Sequence, residues 1–283
     1  MIEINESYVK NLLKIRDKNT YKWAYGTLIA VSGSYGMAGA ATFVCKAALK
    51  SGCGIIRCIS DKKIDNILQI LTPETIHINV ESSEDTIREV LHFAKSSNAI
   101  TIGSGLGQSE DTAKIIKFLL KNLTLPIVLD ADGLNNISCE DLKNNKGLRL
   151  ITPHYGEAAR LISVNKTEIM KSPEKFAKII SEKTESYVLL KGHTTYIASF
   201  DGKTAFHEGG NPGMATPGSG DVLTGIVLSF VGQGLNPFDA LSAAAYVHAK
   251  AGDLAAKDMG EYGLIASDII ENIPYAIKNI VGK

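Results

Sequence analysis

Asp221 closes a thirteen-residue run, 209–221, that holds five glycines and two prolines and leads straight into an apolar helical pattern. Glycine lets backbone approach a ligand closely, and the first free amides of the following helix, from Val222, Leu223, Thr224 and Gly225 onward, aim their donors and the positive dipole end at the same point. Such a place stabilises charge on a phosphoryl group in transfer, and Asp221 is set to take the proton of an attacking hydroxyl. Gly218 and Gly220 are the bare backbone beside that base. An ordinary helix N-terminus with an acid in its first turn would use some of the same residues. The length of the run and its glycine content favour the functional reading.

Four further places carry residues suited to the same chemistry. Gly33, Gly36 and Gly39 stand at three-residue spacing between an apolar strand and a helix, a loop that wraps a ligand or merely eases a turn. The spacing is not that of the dinucleotide fingerprint G-x-G-x-x-G, and no P-loop motif G-x-x-x-x-G-K-[ST] occurs. Gly103, Gly105 and Gly107 follow a second strand and belong at the carboxyl edge of a sheet. Asp130 and Asp132 flank Ala131 at a strand end, where strand alternation sends their side chains to opposite faces. They are expected either to hold water ligands of Mg²⁺ or to cap the segment Gly133-Leu134-Asn135. Lys191-Gly192, after another strand, offers charge for a phosphate and a close backbone, or else an exposed lysine approaching a hairpin.

The run at 209–221 resembles the signature of the ribokinase-like superfamily, in which a Gly-x-Gly-Asp element forms the anion hole and supplies the base. Asn211-Pro212-Gly213-Met214-Ala215-Thr216 followed by Gly218-Ser219-Gly220-Asp221-Val222-Leu223-Thr224-Gly225 is similar to one branch of it, the ADP/ATP-dependent NAD(P)H-hydrate dehydratases. Four more segments match that family in order: Gly33-Ser34-Tyr35-Gly36-Met37-Ala38-Gly39-Ala40-Ala41, Ile102-Gly103-Ser104-Gly105-Leu106-Gly107, Leu129-Asp130-Ala131-Asp132-Gly133-Leu134-Asn135, and Thr152-Pro153-His154-Tyr155-Gly156-Glu157. Together the five span residues 33–225, most of the chain.

The resemblance implies that Ala40, Gly105, His154 and Asp221 contact a hydrated dinucleotide. It implies that Lys191, Gly192, His193, Thr194, Thr195 and Gly220 hold the AMP part of a nucleotide, and that Glu157 lies near Mg²⁺ and the phosphates, through water. The reaction implied is nucleotide-dependent dehydration of the S-epimer of hydrated NADH or NADPH, with ADP or ATP as phosphoryl donor. The Asn211–Thr216 segment looks like the ADP-dependent bacterial form. Two positions depart from the pattern: Ser104 and Tyr155 stand where the family carries, or often carries, proline. The nearest rival is a kinase of a vitamin precursor (hydroxyethylthiazole, hydroxymethylpyrimidine or pyridoxal), which shares the anion hole and Asp221. A nonenzymatic nucleotide sensor is a third reading, against which the intact Gly218-Ser219-Gly220-Asp221 run stands. By family analogy the chain forms a homo-oligomer, a tetramer. It leaves no room for a fused epimerase, so a separate NAD(P)H-hydrate epimerase is expected to work alongside.

The elements that must position these groups alternate. Strand patterns fall at 27–32, 54–59, 75–80, 99–102, 127–130, 148–152 and 187–191, several of them apolar throughout, as strands covered on both faces are. A hairpin is expected at 196–200 and 204–207 around Asp201-Gly202-Lys203. Helical patterns occupy 39–50, 61–71, 84–96, 111–122, 156–162, 172–183, 221–231, 237–256 and 267–278. Alternation of this kind marks an α/β fold, and with the resemblance a ribokinase-like three-layer α/β/α sandwich with a mostly parallel central sheet. No linker or break in composition divides the 283 residues, so one domain over 1–283 is expected. Thirty basic and thirty acidic residues balance, which removes the electrostatic footprint of a nucleic-acid binder. Cys45, Cys53, Cys58 and Cys139 form no C-x-x-C pair, and an acidic N-terminus and the lack of a long apolar run argue against secretion and membrane insertion. A reduced, cytoplasmic setting is expected.

Overall fold

A computed structural model describes residues 1–143 and 145–282. Ten strands, β1 (Ile2–Glu3), β2 (Thr27–Val31), β3 (Ile55–Asp61), β4 (Ile76–Val80), β5 (Ala99–Ile102), β6 (Ile127–Leu129), β7 (Arg149–Ile151), β8 (Tyr187–Leu190), β9 (Thr194–Ala198) and β10 (Thr204–Glu208), join in one sheet of order β1-β10-β9-β8-β7-β6-β5-β2-β3-β4. Every pairing is parallel except those of β9, which runs against both β8 and β10. The expected hairpin is therefore present, with β9 starting two residues earlier than the pattern indicated, at Thr194.

Strand side chains alternate between two cores. Leu28 and Ala30 of β2, Cys58 of β3, Val128 of β6 and Leu189 of β8 face one apolar cluster, while Ile29, Val31, Ile59, Leu129 and Leu190 face the other. The first cluster is covered by α1 (Glu6–Leu12), α2 (Ala38–Lys50), α3 (Asp65–Leu71), α10 (Ser219–Gly232), α11 (Pro237–Met259) and α12 (Ala266–Val281). The second lies under α4 (Ser83–Ala94), α5 (Glu110–Asn122), α6 (Asp132–Asn135), α7 (Tyr155–Ile162), α8 (Lys166–Lys171) and α9 (Pro173–Thr184). Burial on both faces explains why the central strands are apolar without polar alternation. Three layers with a mostly parallel sheet follow, as expected.

Helices α1, α6 and α8 and strand β1 were not signalled by the periodicity, because four to seven residues, or two for β1, are too few to show a period. Helix α10 is buried over almost its whole circumference. Strand order reverses about β2: the chain leaves β2 towards β3 through α2 on one face, and leaves β5, on its other side, through α5 on the opposite face. The two connections diverge, and a crevice opens between them at the carboxyl edge of the sheet, where open α/β folds take ligands.

Candidate active site

The glycine loops after β2 and β5 meet across that crevice and are laced together. Ser32 Oγ and the Gly33 N–H donate to the Ser104 carbonyl at 2.6 and 2.9 Å, and Ser34 Oγ donates to the Gly105 carbonyl at 2.8 Å. Gly105 takes φ +68°, and a β-carbon there would stand 2.8 Å from Cβ of Ala40 and 3.0 Å from Cβ of Met37. Ala40, in the first turn of α2, and Gly105 thus form one wall, and only glycine fits the second position.

The next three strands end in a charged group. Asp130, after β6 and 2 % exposed, receives hydrogen bonds from Lys191 Nζ on Oδ1 at 2.7 Å and from Thr224 Oγ1 on Oδ2 at 2.8 Å. Lys191, after β8, is brought there because its N–H donates to the Pro153 carbonyl at 2.9 Å and it pairs with His154 in an isolated parallel bridge. Burial opposes its charge, but Asp130 and Glu157 outweigh that and hold the ammonium above its ordinary pKa. It is not the exposed lysine of a hairpin.

Asp130 and Asp132 do not behave as neighbours on a strand. The strand stops at Leu129, and Ala131 adopts φ +49°, so both carboxylates come within electrostatic reach of Asp221, contrary to the opposite faces expected from alternation. Asp132 Oδ2 accepts the Gly107 N–H at 2.8 Å, and Asn136 Nδ2 donates to the Gly107 carbonyl at 3.0 Å. Asp132 therefore ties down the second glycine loop, and makes no cap hydrogen bond to α6.

His154 is the N-cap of α7. Its Nδ1 accepts the N–H groups of Gly156 and Glu157 at 2.9 and 3.2 Å, while Glu157 Oε2 accepts the His154 N–H at 2.8 Å. An Nδ1 that accepts leaves Nε2 as the protonated nitrogen, and burial and Lys191 lower the pKa of the ring. Its side chain stays 59 % exposed, with Nε2 free to donate outward, 3.7 Å from Glu157 Oε1. Glu157 itself is buried, and burial, aided by Asp130 and opposed by Lys191, pushes its carboxyl up to about 7.

Helix α10 starts at Gly218, which holds φ +89° against the Phe43 ring, a conformation and a space that exclude a side chain. A β-carbon on Gly220 would lie 3.5 Å from Lys191 Nζ and 3.6 Å from Asp130 Oδ2, so the bare backbone of the helix start stands over the ion pair. One residue on, Asp221 is raised to about 6, first by burial and then by Asp130 and Asp132, against the pull of Lys191. A carboxylate with that pKa is a competent base near neutral pH. Thr224, one turn later, shares its face and reaches Asp130.

Beside the helix start opens a cavity of about 420 Å³, lined among others by Lys191, Gly192, His193, Thr195, Ser219 and Gly220. Of the residues expected to hold a nucleotide, Thr194 lies apart, its hydroxyl donating to Glu208 at 3.3 Å. Two histidines that no motif singled out also line the cavity. His248 of α11 stands 3.3 Å from Ser219 Oγ and is driven down to about 4 by burial; His207 turns Nδ1 to the Ile4 carbonyl at 2.9 Å. A second cavity of about 710 Å³ begins at Gly33, Ser34 and Leu106 on the far side of the glycine loops.

A family model described as NAD(P)H-hydrate dehydratase matches residues 28–275. A bifunctional NAD(P)H-hydrate repair enzyme of Moorella thermoacetica is 34 % identical over 98 % of this chain and 54 % of its own length. The ADP-dependent (S)-NAD(P)H-hydrate dehydratase of Neisseria meningitidis serogroup B is 33 % identical over 92 % of this chain and 87 % of its own. The chain spans about half the length of the bifunctional relatives it matches. Among solved structures, the ADP/ATP-dependent NAD(P)H-hydrate dehydratase of Bacillus subtilis, co-crystallised with ATP and Mg²⁺, superposes with a TM-score of 0.88 at 27 % identity, covering 99 % of this chain and 98 % of that one. The sandwich is ribokinase-like.

Proposed function

The chain belongs to the NAD(P)H-hydrate dehydratase family, and we propose that residues 1–283 act as one domain that returns the S-epimer of hydrated NADH or NADPH to the dihydronicotinamide at the expense of ADP or ATP. The observation that carries the reading is the place of Asp221: a carboxylate raised to about 6 by burial, one residue from the Gly220 wall of the nucleotide cavity and one turn before Thr224, which holds Asp130 of the buried ion pair.

Direct loss of the ring hydroxyl asks hydroxide to leave, whose conjugate acid has a pKa of about 15.7, whereas a phosphate group's second pKa is about 6. Transfer of a phosphoryl group first therefore improves the leaving group by roughly ten pK units. Asp221 takes the proton as the hydroxyl oxygen attacks the terminal phosphorus of the nucleotide. The amides at Gly218 and Gly220 hold the charge that develops, and AMP leaves from ADP, or ADP from ATP. The carbon–oxygen bond then breaks, phosphate departs, and a proton lost from the neighbouring ring carbon restores the double bond.

We assign the hydrated ring to the wall of Ala40 and Gly105, with the outward Nε2–H of His154 donating to it and Asp221 beside it. Lys191, Gly192, His193, Thr195 and Gly220 hold the nucleotide, Thr194 supporting them from β9. The cavity beyond Gly33 and Leu106 gives room for the rest of a dinucleotide. Among the described residues no cluster of three or more metal-ligating side chains occurs, and both oxygens of Asp130 are taken. The donors present suit an ion that keeps its waters, as Mg²⁺ does, with Glu157 holding it through water. Such an ion would neutralise charge on the nucleotide phosphates.

No helix among the described residues is long and apolar enough to cross a membrane, and we place the enzyme in the cytoplasm. The exposed Ile67, Ile70 and Leu71 of α3 and Ile76 of the edge strand β4 support a homo-oligomer, a tetramer in our reading, which light scattering tests. A separate epimerase would supply the S-epimer.

The test is recovery of dihydronicotinamide near-ultraviolet absorbance from purified NADH hydrate with Mg²⁺ and either ADP or ATP, against a control without nucleotide. Nucleotide-dependent recovery is expected, faster with ADP. No recovery with either donor, from protein that binds nucleotide, would reassign the chain to the kinases of vitamin precursors.

A further inference from the structure

Ser104 is 1 % exposed, and its Oγ is buried without a hydrogen-bond partner. Its position is fixed on every side: the carbonyl is held by Ser32 Oγ and the Gly33 N–H, and the flanking Gly103 and Gly105 adopt φ +144° and +68°. A buried hydroxyl left unsatisfied forfeits its hydration with nothing in return, so it persists where another state of the molecule gives it a partner. The loop of Ser104 lies against the start of α10 beside Asp221: a β-carbon on Gly103 would meet the Asp130 carbonyl, and Asp130 Oδ2 accepts the hydroxyl of Thr224 at 2.8 Å and would lie 3.6 Å from a β-carbon on Gly220, the residues on either side of that carboxylate's turn.

We propose that Ser104 is a positioning residue for Asp221: its hydroxyl turns to donate to one carboxylate oxygen, leaving the other oxygen aimed at the substrate hydroxyl. This rests on the assignment of Asp221 as the base. The loop supplies rigidity, since Ser104 cannot follow the carboxylate and must instead define where it stands. The charged groups around Asp221 pull in both directions. Asp130 after β6 and Asp132 of α6 oppose its ionisation, and Lys191 after β8 favours it. Lys191 is in turn coupled to Glu157 and His154 of α7 and to His248 of α11. Against that field, a hydrogen bond donated by the Ser104 hydroxyl favours the ionised base without adding charge where phosphate must bind.

The experiment compares wild type, Ser104→Ala and Ser104→Thr as full-length protein, following the Asp221 carboxyl by ¹³C NMR titration without ligands, its resonance assigned by its loss in Asp221→Asn. Loss of the hydroxyl is expected to raise the Asp221 midpoint by about 0.5–1 pH unit, and Thr to restore it. The acid limb of kcat/KM with NADH hydrate is expected to move the same way, with kcat down about tenfold and nucleotide KM within about twofold. An unmoved midpoint, or a fall in kcat with the acid limb in place, overturns the proposal. Should Ser104→Ala not fold, Ser104→Cys keeps the volume, loses the strong donor and gives the same reading. If wild type fails to turn over the hydrate while the midpoint still moves, the reaction assignment falls and the positioning stands.

Discussion

Lys191 Nζ lies 2.7 Å from Asp130 Oδ1, joining the ends of β8 and β6 across β7 with a carboxylate that is 2 % exposed. A buried ion pair stabilises little as a whole, but removing one partner strands the other. Lys191→Met is expected to cost on the order of 3 kcal/mol, read as a lower midpoint in urea. Adding Asp130→Asn should return most of that stability while nucleotide affinity stays low. A double variant as unstable as the single one would show that the lysine stem, and not the charge, is what matters.

Asp221 and Glu157, raised to about 6 and about 7, set catalysis and stability against each other in their dependence on pH. Catalysis needs Asp221 ionised, so kcat/KM is expected to rise with an acid limb near pH 6 and not near 4. For stability, the native state holds these protons more tightly than the unfolded chain, so stability falls as pH rises from the ordinary carboxylate range through 6 to 7. Asp221→Asn should accordingly raise the melting temperature at pH 8, by on the order of 2 kcal/mol of stability, and bring no gain at pH 4. Its turnover should drop by about 10²–10⁴ with nucleotide binding nearly intact. A near-wild-type rate would remove Asp221 from the role of base.

His154 combines a cap with a proposed ligand contact, and two substitutions separate them. Ala removes the Nδ1 acceptor and should cost about 1 kcal/mol at the start of α7; Asn caps well and should not. Both lack the outward Nε2–H, so both should raise KM for the hydrate several-fold. Equal stability of the two variants would count against the cap, and an unchanged KM against the contact.

Gly218→Ala should destabilise by about 1–3 kcal/mol, through positive φ and contact with Phe43 together. Phe43→Ala in the same chain relieves only the contact. Partial rescue in a thermal melt is the expected result, and full rescue would show that the backbone carries no strain.

Much of this site was legible because its signals are local. Glycines at 33–39, 103–107 and 209–220 mark turns wherever they occur, and each follows or precedes a period that places it at the same sheet edge. What was not legible depends on contacts over long separations. Asp130 meets Lys191 across 61 positions and Thr224 across 94, and His248 meets Ser219 across 29 in a helix whose alanines signal only packing. Ala131 defeated the alternation rule because nothing in alanine announces φ +49°.

The hydrogen bonds from Ser32, Gly33 and Ser34 to Ser104 and Gly105 make two loops that are some seventy residues apart in sequence into a single heritable unit. The lacing is one-sided: the acceptors at 104 and 105 are backbone carbonyls that any residue would present, so it is the hydroxyls of Ser32 and Ser34 whose loss would let the two loops part, and as far as the lacing goes the second loop can change its side chains while the first keeps hold of it.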